Sequence, residues 1–191
     1  MVRRQLPGLR SRQEAPPGCR CRHASPDQIQ KVCPRLSYLL LKFAHVVGAT
    51  VILGTGSCIA FFMLMAHRSG DAGFIARTAR LVVLADMIFT ASAVILQPVT
   101  GFLLMRQTGV TLAESWIALS ILLYLVAGAF WLPVIWIQVR LRDLAQAAAQ
   151  TKAVLPAPYH RLFRIWFLFG FPGFGAVMAI QFLMIAKPVL Y

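Results

Sequence analysis

Charge is what this sequence has least of. Only 13% of its 191 residues are Asp, Glu, Lys or Arg, against about 25% in an ordinary soluble domain. A chain so poor in charge cannot cover a globule with a hydrated surface, and 59% hydrophobic residues with a mean hydropathy of +0.70 point the same way. The four cysteines are too few for a disulfide-rich secreted module. Carboxylates number six, and Glu114 and Asp143 fall at opposite ends of one apolar run, so paired acid-base chemistry has little to build on. No G-x-x-x-x-G-K-[ST], H-E-x-x-H or G-x-S-x-G occurs.

The charge that exists is basic, +13 overall, and its location decides its meaning. Eight Lys and Arg lie within residues 1–36, and the other eleven mostly flank apolar runs. No recognised nucleic-acid module accompanies them, so the lipid bilayer is the expected partner and nucleic acid is not.

Four runs are apolar over the roughly 20 residues that a helix needs to cross a hydrocarbon core: about 38–66, 81–105, 116–137 and 165–186. They show continuous apolarity rather than the alternation of barrel strands, so they read as helices. The fold class is therefore all-α, a membrane four-helix bundle over residues 37–191. Polar connections are expected at 67–80, 106–115 and 138–164, the last with an Ala-rich helical extension from Leu144 to Gln150 closed by Pro156 and Pro158. The first and third connections carry Arg68, Arg77, Arg80, Arg140, Arg142, Lys152, Arg161 and Arg164, against Lys42, Arg106 and Lys187 on the other side. Cytoplasmic flanks hold the excess. Both termini are then outside, in the periplasm, for a multi-pass protein of the bacterial inner membrane.

Ionisable groups inside apolar spans are costly and mark sites. His45 and His67 share a stripe of the first helix with Lys42, Ala49, Ile52, Gly56 and Met63, but lie 22 residues apart, about 33 Å, and so define two polar levels. The second helix repeats this with Asp86, Thr90, Ala93, Gln97 and Thr100. By depth, Gln97, Tyr124 and Gln181 join His45, and Asp86 joins His67. The pair His67 and Asp86 suits a proton relay; the plain alternative is an interfacial salt bridge with Arg68 or Arg80. His45 reads as a haem or metal ligand, with Gly48 and Ala49 leaving room for a porphyrin, or as a packing histidine bonded to Gln97 or Tyr124. Phe169 to Gly173 (Phe-Gly-Phe-Pro-Gly) is either a break in the fourth helix or a kink. The Gly-bearing faces also suit a homodimer.

Tyr38 to Val47 (Tyr-Leu-Leu-Leu-Lys-Phe-Ala-His-Val-Val), with His67, resembles the opening of HemJ-type protoporphyrinogen oxidases, whose Leu-Lys-x-x-His helix supplies a haem ligand. Phe89 to Leu96 with Gly101 is similar to that family's Thr-Pro-Ala-x-Ile-Leu segment. A closer resemblance, over most of Tyr38 to Pro188, is to a bacterial four-helix integral membrane family of unknown function grouped with the HemJ and CopD proteins. It is carried by Ala60 to Gly70 (ending Ala-His-Arg-Ser-Gly), Ala93 to Pro98 (Ala-Val-Ile-Leu-Gln-Pro) and Trp131 to Trp136 leading to Arg142-Asp143-Leu144. The HemJ-type resemblance implies a b-type haem on His45, and the residues at the same depth, Gln97, Tyr124 and Gln181, would line its pocket. The HemJ-type Lys four residues after a helix-three Trp is Ser120 here, counting from Trp116. The CopD side implies copper, for which the seven Met are scattered. Two function classes stand open: a haem-binding redox protein, and a non-enzymatic transport or accessory protein.

Residues 1–36 are rich in Arg, Pro and Gln without apolar period, and are expected to be a disordered basic tail. They include Cys19, Cys21, His23 and Cys33, whose spacing is not a common structural-zinc pattern. The tail's cations conflict with the orientation above, and a true start near Val32 or Leu36 would remove the conflict. Mass spectrometry of the native amino terminus checks this; a peptide covering Arg12 to Lys31 would overturn it.

Overall fold

The computed structural model describes the backbone of residues 26–188 and the side chains of residues 35–188. The chain divides into two units, 1–37 and 38–191. Of the first, the helical backbone from residue 26 and the side chains from residue 35 are described; a disordered tail was expected over 1–36, and helix occupies 26–36. A proline at the first helical position loses no hydrogen bond, which suits Pro26 to the start. The start site, Cys19, Cys21, His23 and the Cys33 side chain lie outside the described residues.

Every element is helical: α1 (Pro26–Ser69), α2 (Ala72–Ala85), a π-helical turn (Asp86–Thr90), α3 (Ala91–Thr108), α4 (Ser115–Thr151) and α5 (Ala157–Ala186). No strand occurs among the described residues. The helices α2 and α3 continue through the π turn as one span, so four segments are long and apolar enough to cross a membrane: Arg35–Ser69, Ala72–Thr108, Ser115–Thr151 and Ala157–Ala186. Consecutive spans run antiparallel. Contacts of His45 with Thr100, of Asp86 with Trp131, of Phe130 with Phe169 and of Phe163 with His67 link them in chain order, an up-down-up-down bundle.

The spans are longer than the apolar runs, and most of the excess lies at the end bearing the 70–71 and 152–156 connections. Apolarity reports only the part of a helix in hydrocarbon. Beyond it the amphipathic period takes over: Ile75, Ala79 and Val82 on α2, Leu141, Ala145 and Ala148 on α4, and Tyr159, Phe163 and Trp166 on α5 are buried at steps of four and three. These side chains, with Ile59, Met63 and Ala66 of α1, form the main core. The eight cations of the first and third connections lie on this same part of the bundle, called here the basic end. The helix α4, with 37 residues, is about 56 Å long, well beyond a hydrocarbon core of about 30 Å.

Local chemistry sets the turns. Gly70 (φ +69°) and Gly109 (φ +71°) adopt the left-handed conformation that stops a helix, and the Asp71 carboxylate accepts the Gly73 N–H at 2.8 Å to cap α2. Lys152 ends α4 in the same conformation (φ +50°), and Pro156 with Pro158 opens α5. Pro172 sits inside α5, which runs unbroken through residues 169–173.

Leu141 is wholly buried, whereas Leu168 is 64% exposed on the lipid-facing surface. Leu141→Ala is expected to cost about 2–5 kcal/mol and Leu168→Ala almost nothing, as read by unfolding of the detergent-purified protein.

Candidate functional site

Three groups of polar side chains occupy the bundle, at three depths. The group farthest from the basic end holds His45. The hydroxyl of Thr100 donates to Leu96 O at 2.8 Å, the ordinary back-bond of a helical threonine. Its one proton spent, the oxygen accepts from His45 Nδ1 at 2.8 Å, which leaves the imidazole lone pair on Nε2. Gln97 Nε2 donates to the backbone oxygen of His45 at 2.8 Å. A Cβ on Gly48 would stand 2.9 Å from that amide nitrogen, and one on Gly101 would stand 3.3 Å from His45 Cε1. The small residues beside His45 are therefore filled by the α1–α3 contact.

Tyr124 of α4 meets α3 from the other side. Pro98 has no N–H to offer the carbonyl four residues earlier, so the helix leaves Val94 O without its usual partner. The Tyr124 hydroxyl donates to that oxygen at 2.5 Å. Gln181 is half-buried on α5 and forms no hydrogen bond with His45, Gln97 or Tyr124, and Met178 is exposed.

Asp86 forms the middle group. It is 3% exposed and begins the π turn, whose mark is the Ala91 N–H bonded to Asp86 O five residues back. Such turns recur at functional sites. Trp131 Nε1 donates to Asp86 Oδ1 at 3.4 Å. The carboxamide of Gln138, oriented so that both of its ends are satisfied, donates to Asp86 Oδ2 at 3.1 Å and accepts from Trp166 Nε1 at 3.3 Å. The buried Thr90 hydroxyl lies alongside the carboxylate, without a hydrogen bond of good geometry to any described residue. No Lys, Arg or His among the described residues pairs with Asp86; the ion pair described is Arg142 with Asp143, at 2.8 Å on the surface.

His67 heads the third group, at the basic end. Its ring stacks on Phe163 at 3.7 Å and on Tyr159 at 5.7 Å, with His160 edge-on at 5.7 Å. His67 Nδ1 and the Tyr159 hydroxyl are both buried without a partner among the described residues. His67 and Asp86 do not touch. The path from one to the other runs through Phe163 and Trp166, themselves in ring contact at 5.7 Å, and then Gln138. A cleft of about 620 Å³ between the 70–71 turn and the 152–156 connection opens beside His160, with Asp71 and Lys152 on its walls.

Of the residues singled out in the sequence, His45 and Gln97 thus meet at the α1–α3 interface, Tyr124 joins α4 to α3, and His67 and Asp86 take separate surroundings. Thr100, Trp131, Gln138 and Trp166 complete the two inner groups. Thr100 and Gln138 had a signal, as polar residues on the same stripes, and Pro98 marked Val94 as an oxygen in need of a donor. Among the described residues no three His, Cys, Asp or Glu come close enough to hold a metal ion together.

A family model described as a predicted integral membrane protein, DUF2269, matches residues 39–188. The chain belongs to that family. The match takes in all four spans and all three polar groups. No curated protein and no solved structure is significantly similar to the chain. Membership of DUF2269 states an integral membrane protein, which the four spans make multi-pass, and carries no activity.

Gly48→Ala pushes the Gln97 amide off His45 O and is expected to cost about 0.5–1.5 kcal/mol, the worth of that hydrogen bond. Gly54→Ala, with nothing within 4 Å of the new methyl, is expected to leave unfolding in detergent unchanged or slightly improved.

Proposed function

We propose that this DUF2269 member is a non-enzymatic transport protein that moves protons, with Asp86 as the group that takes up and releases them. The observation that carries this is a carboxyl group 3% exposed inside a membrane span with no cation among the described residues paired to it. A buried carboxylate left without a counter-charge is costly, and intramembrane acids are usually functional. The hydrogen bonds around Asp86 accommodate both of its protonation states. Asp86 Oδ1 and Oδ2 each receive one N–H, from Trp131 and Gln138, and the acid's own O–H has the unused Thr90 oxygen beside it. After loss of the proton the two N–H donors remain and the Thr90 hydroxyl can turn to donate, so the group can release and regain a proton without losing its partners. The excess of Arg and Lys on the basic end supports an orientation with that end in the cytoplasm of a bacterial inner membrane and both chain termini outside.

Dicyclohexylcarbodiimide, which modifies protonated carboxyls in apolar surroundings, is expected to label Asp86 in the wild-type protein and to give no adduct in Asp86→Asn. In proteoliposomes under an imposed potential, the wild type should acidify the lumen, read by a pH-sensitive dye, and Asp86→Asn should fall to the rate of empty vesicles. Equal proton flux from the folded variant would overturn the proposal.

A second reading, a b-type haem on His45, rests on a different observation. The Thr100 bond that fixes Nδ1 as donor and leaves the lone pair on Nε2 is how an imidazole ligand is oriented from behind. The ligand nitrogen fits that group; the expected lining does not, because Gln97 and Tyr124 spend their polar groups on backbone oxygens and Gly48 and Gly101 are occupied. A Soret band in the purified protein that shifts with dithionite and is lost in His45→Ala would establish this reading, and a flat spectrum from protein expressed with adequate haem would remove it.

A further inference from the structure

The helix face that bears Asp86 changes character at Asp86 itself. Toward the basic end the same face presents Val82, Ala79 and Ile75, all buried. They pack against Met63, Leu141 and Phe163, and Met63, Ile75 and Leu141 are wholly buried. The polar groups on this side, the Gln138 carboxamide bonded to Asp86 and the Trp166 N–H bonded to Gln138, end against the Phe163 ring, which covers His67. Behind that layer the fully buried Tyr159 stands between Phe163 and His160, where the basic-end cleft stops. In the other direction the face reads Thr90, Ala93, Gln97 and Thr100, again all buried, and every side chain larger than a methyl carries a hydrogen-bonding atom. The Tyr124 hydroxyl and His45 Nδ1 reach into this stretch, and the buried Ser120 lies one turn before Tyr124 on α4.

A proton moves along hydrogen-bonding groups and water, and neither finds a foothold in close-packed aliphatic side chains. We infer that in this conformation Asp86 exchanges protons only with the end of the bundle that bears the 109–114 connection, the Met63, Ile75 and Leu141 layer being the closed gate toward the basic end. This rests on the reading of Asp86 as a proton-binding group, and adds to it the direction of access. With the basic end in the cytoplasm, the structure is an outward-accessible state, and release to the cytoplasm requires the apolar layer to part. The parting elements are α2, α4 and the start of α5, which hold the layer together beyond the hydrocarbon.

Two alanines give a matched test, since Ala79 and Ala93 lie seven residues to either side of Asp86 on the same face and both are buried. In a background with Cys19, Cys21, Cys33 and Cys58 replaced by serine, Ala79→Cys and Ala93→Cys each place one thiol, and both are small enough to keep the fold. Silver ion, a water-borne probe that does not cross lipid, is added to right-side-out or inverted vesicles. Remaining thiol is then counted with a maleimide dye after denaturation. Reaction needs thiolate and hence water. The expected result is that Ala93→Cys reacts from the outside at least an order of magnitude faster than Ala79→Cys, and that neither reacts rapidly from the inside. Equal rates, faster reaction at Ala79→Cys, or no reaction at either position would overturn the inference. Carbodiimide labelling of Asp86 in the same vesicles separates the two claims: labelling with an unreactive Ala93→Cys defeats the direction of access alone, whereas a reactive Ala93→Cys without labelling defeats the proton-binding reading.

Discussion

Inside a bilayer no water completes a hydrogen bond, and every polar atom of this chain has to be answered by another part of the chain. That constraint organises the molecule more than any single contact. The carbonyl released at Val94 by Pro98 is met by Tyr124 from the neighbouring span, and the Gln97 amide is met by the His45 backbone. Thr100 gives its proton to its own helix and takes one from His45. Each of these bonds joins two helices or fixes a side chain that does, so satisfying the backbone and assembling the bundle are one task.

Against that background Asp86 stands apart. Its partners are neutral N–H groups, its neighbour Thr90 holds an unused oxygen, and the backbone under it shifts from α to π hydrogen bonding. A group used only to tie helices together is served better by an amide, which brings no charge to desolvate. What a carboxyl adds is a second protonation state, and the proposal that Asp86 is a site rests on that difference. His67 at the basic end has instead an aromatic setting, stacked on Phe163 with Tyr159 and His160 around it, in the part of the bundle that extends beyond the apolar runs.

That extension explains where hydropathy misjudged the helices. Residues 72–80, 138–151 and 157–164 are too polar to register as span, yet their period of three and four buries Ile75, Leu141, Tyr159 and Phe163 as in a water-soluble bundle. The Ala-rich Leu144 to Gln150 segment was legible as helix, but not as the continuation of α4. The largest apolar core lies there, because cations on the outer faces keep those helix ends in water, where burying apolar side chains is again favourable.

The chain's own residues determined the all-α class, the four spans, the basic end, and the stripes that carry His45, His67, Asp86, Gln97 and Tyr124. Each follows from composition or from a 3.6-residue period, which one helix expresses by itself. Which stripes face one another was decided only by the tertiary structure, since the rotation and vertical offset of packed helices depend on side chains from all of them together. Hence Asp86 met Trp131 and Gln138 rather than His67, although depth along the helices allowed the pairing with His67. Hence too the glycines beside His45 received Gln97 and the imidazole. A stripe states what a helix can offer; its partner depends on packing that no single helix encodes.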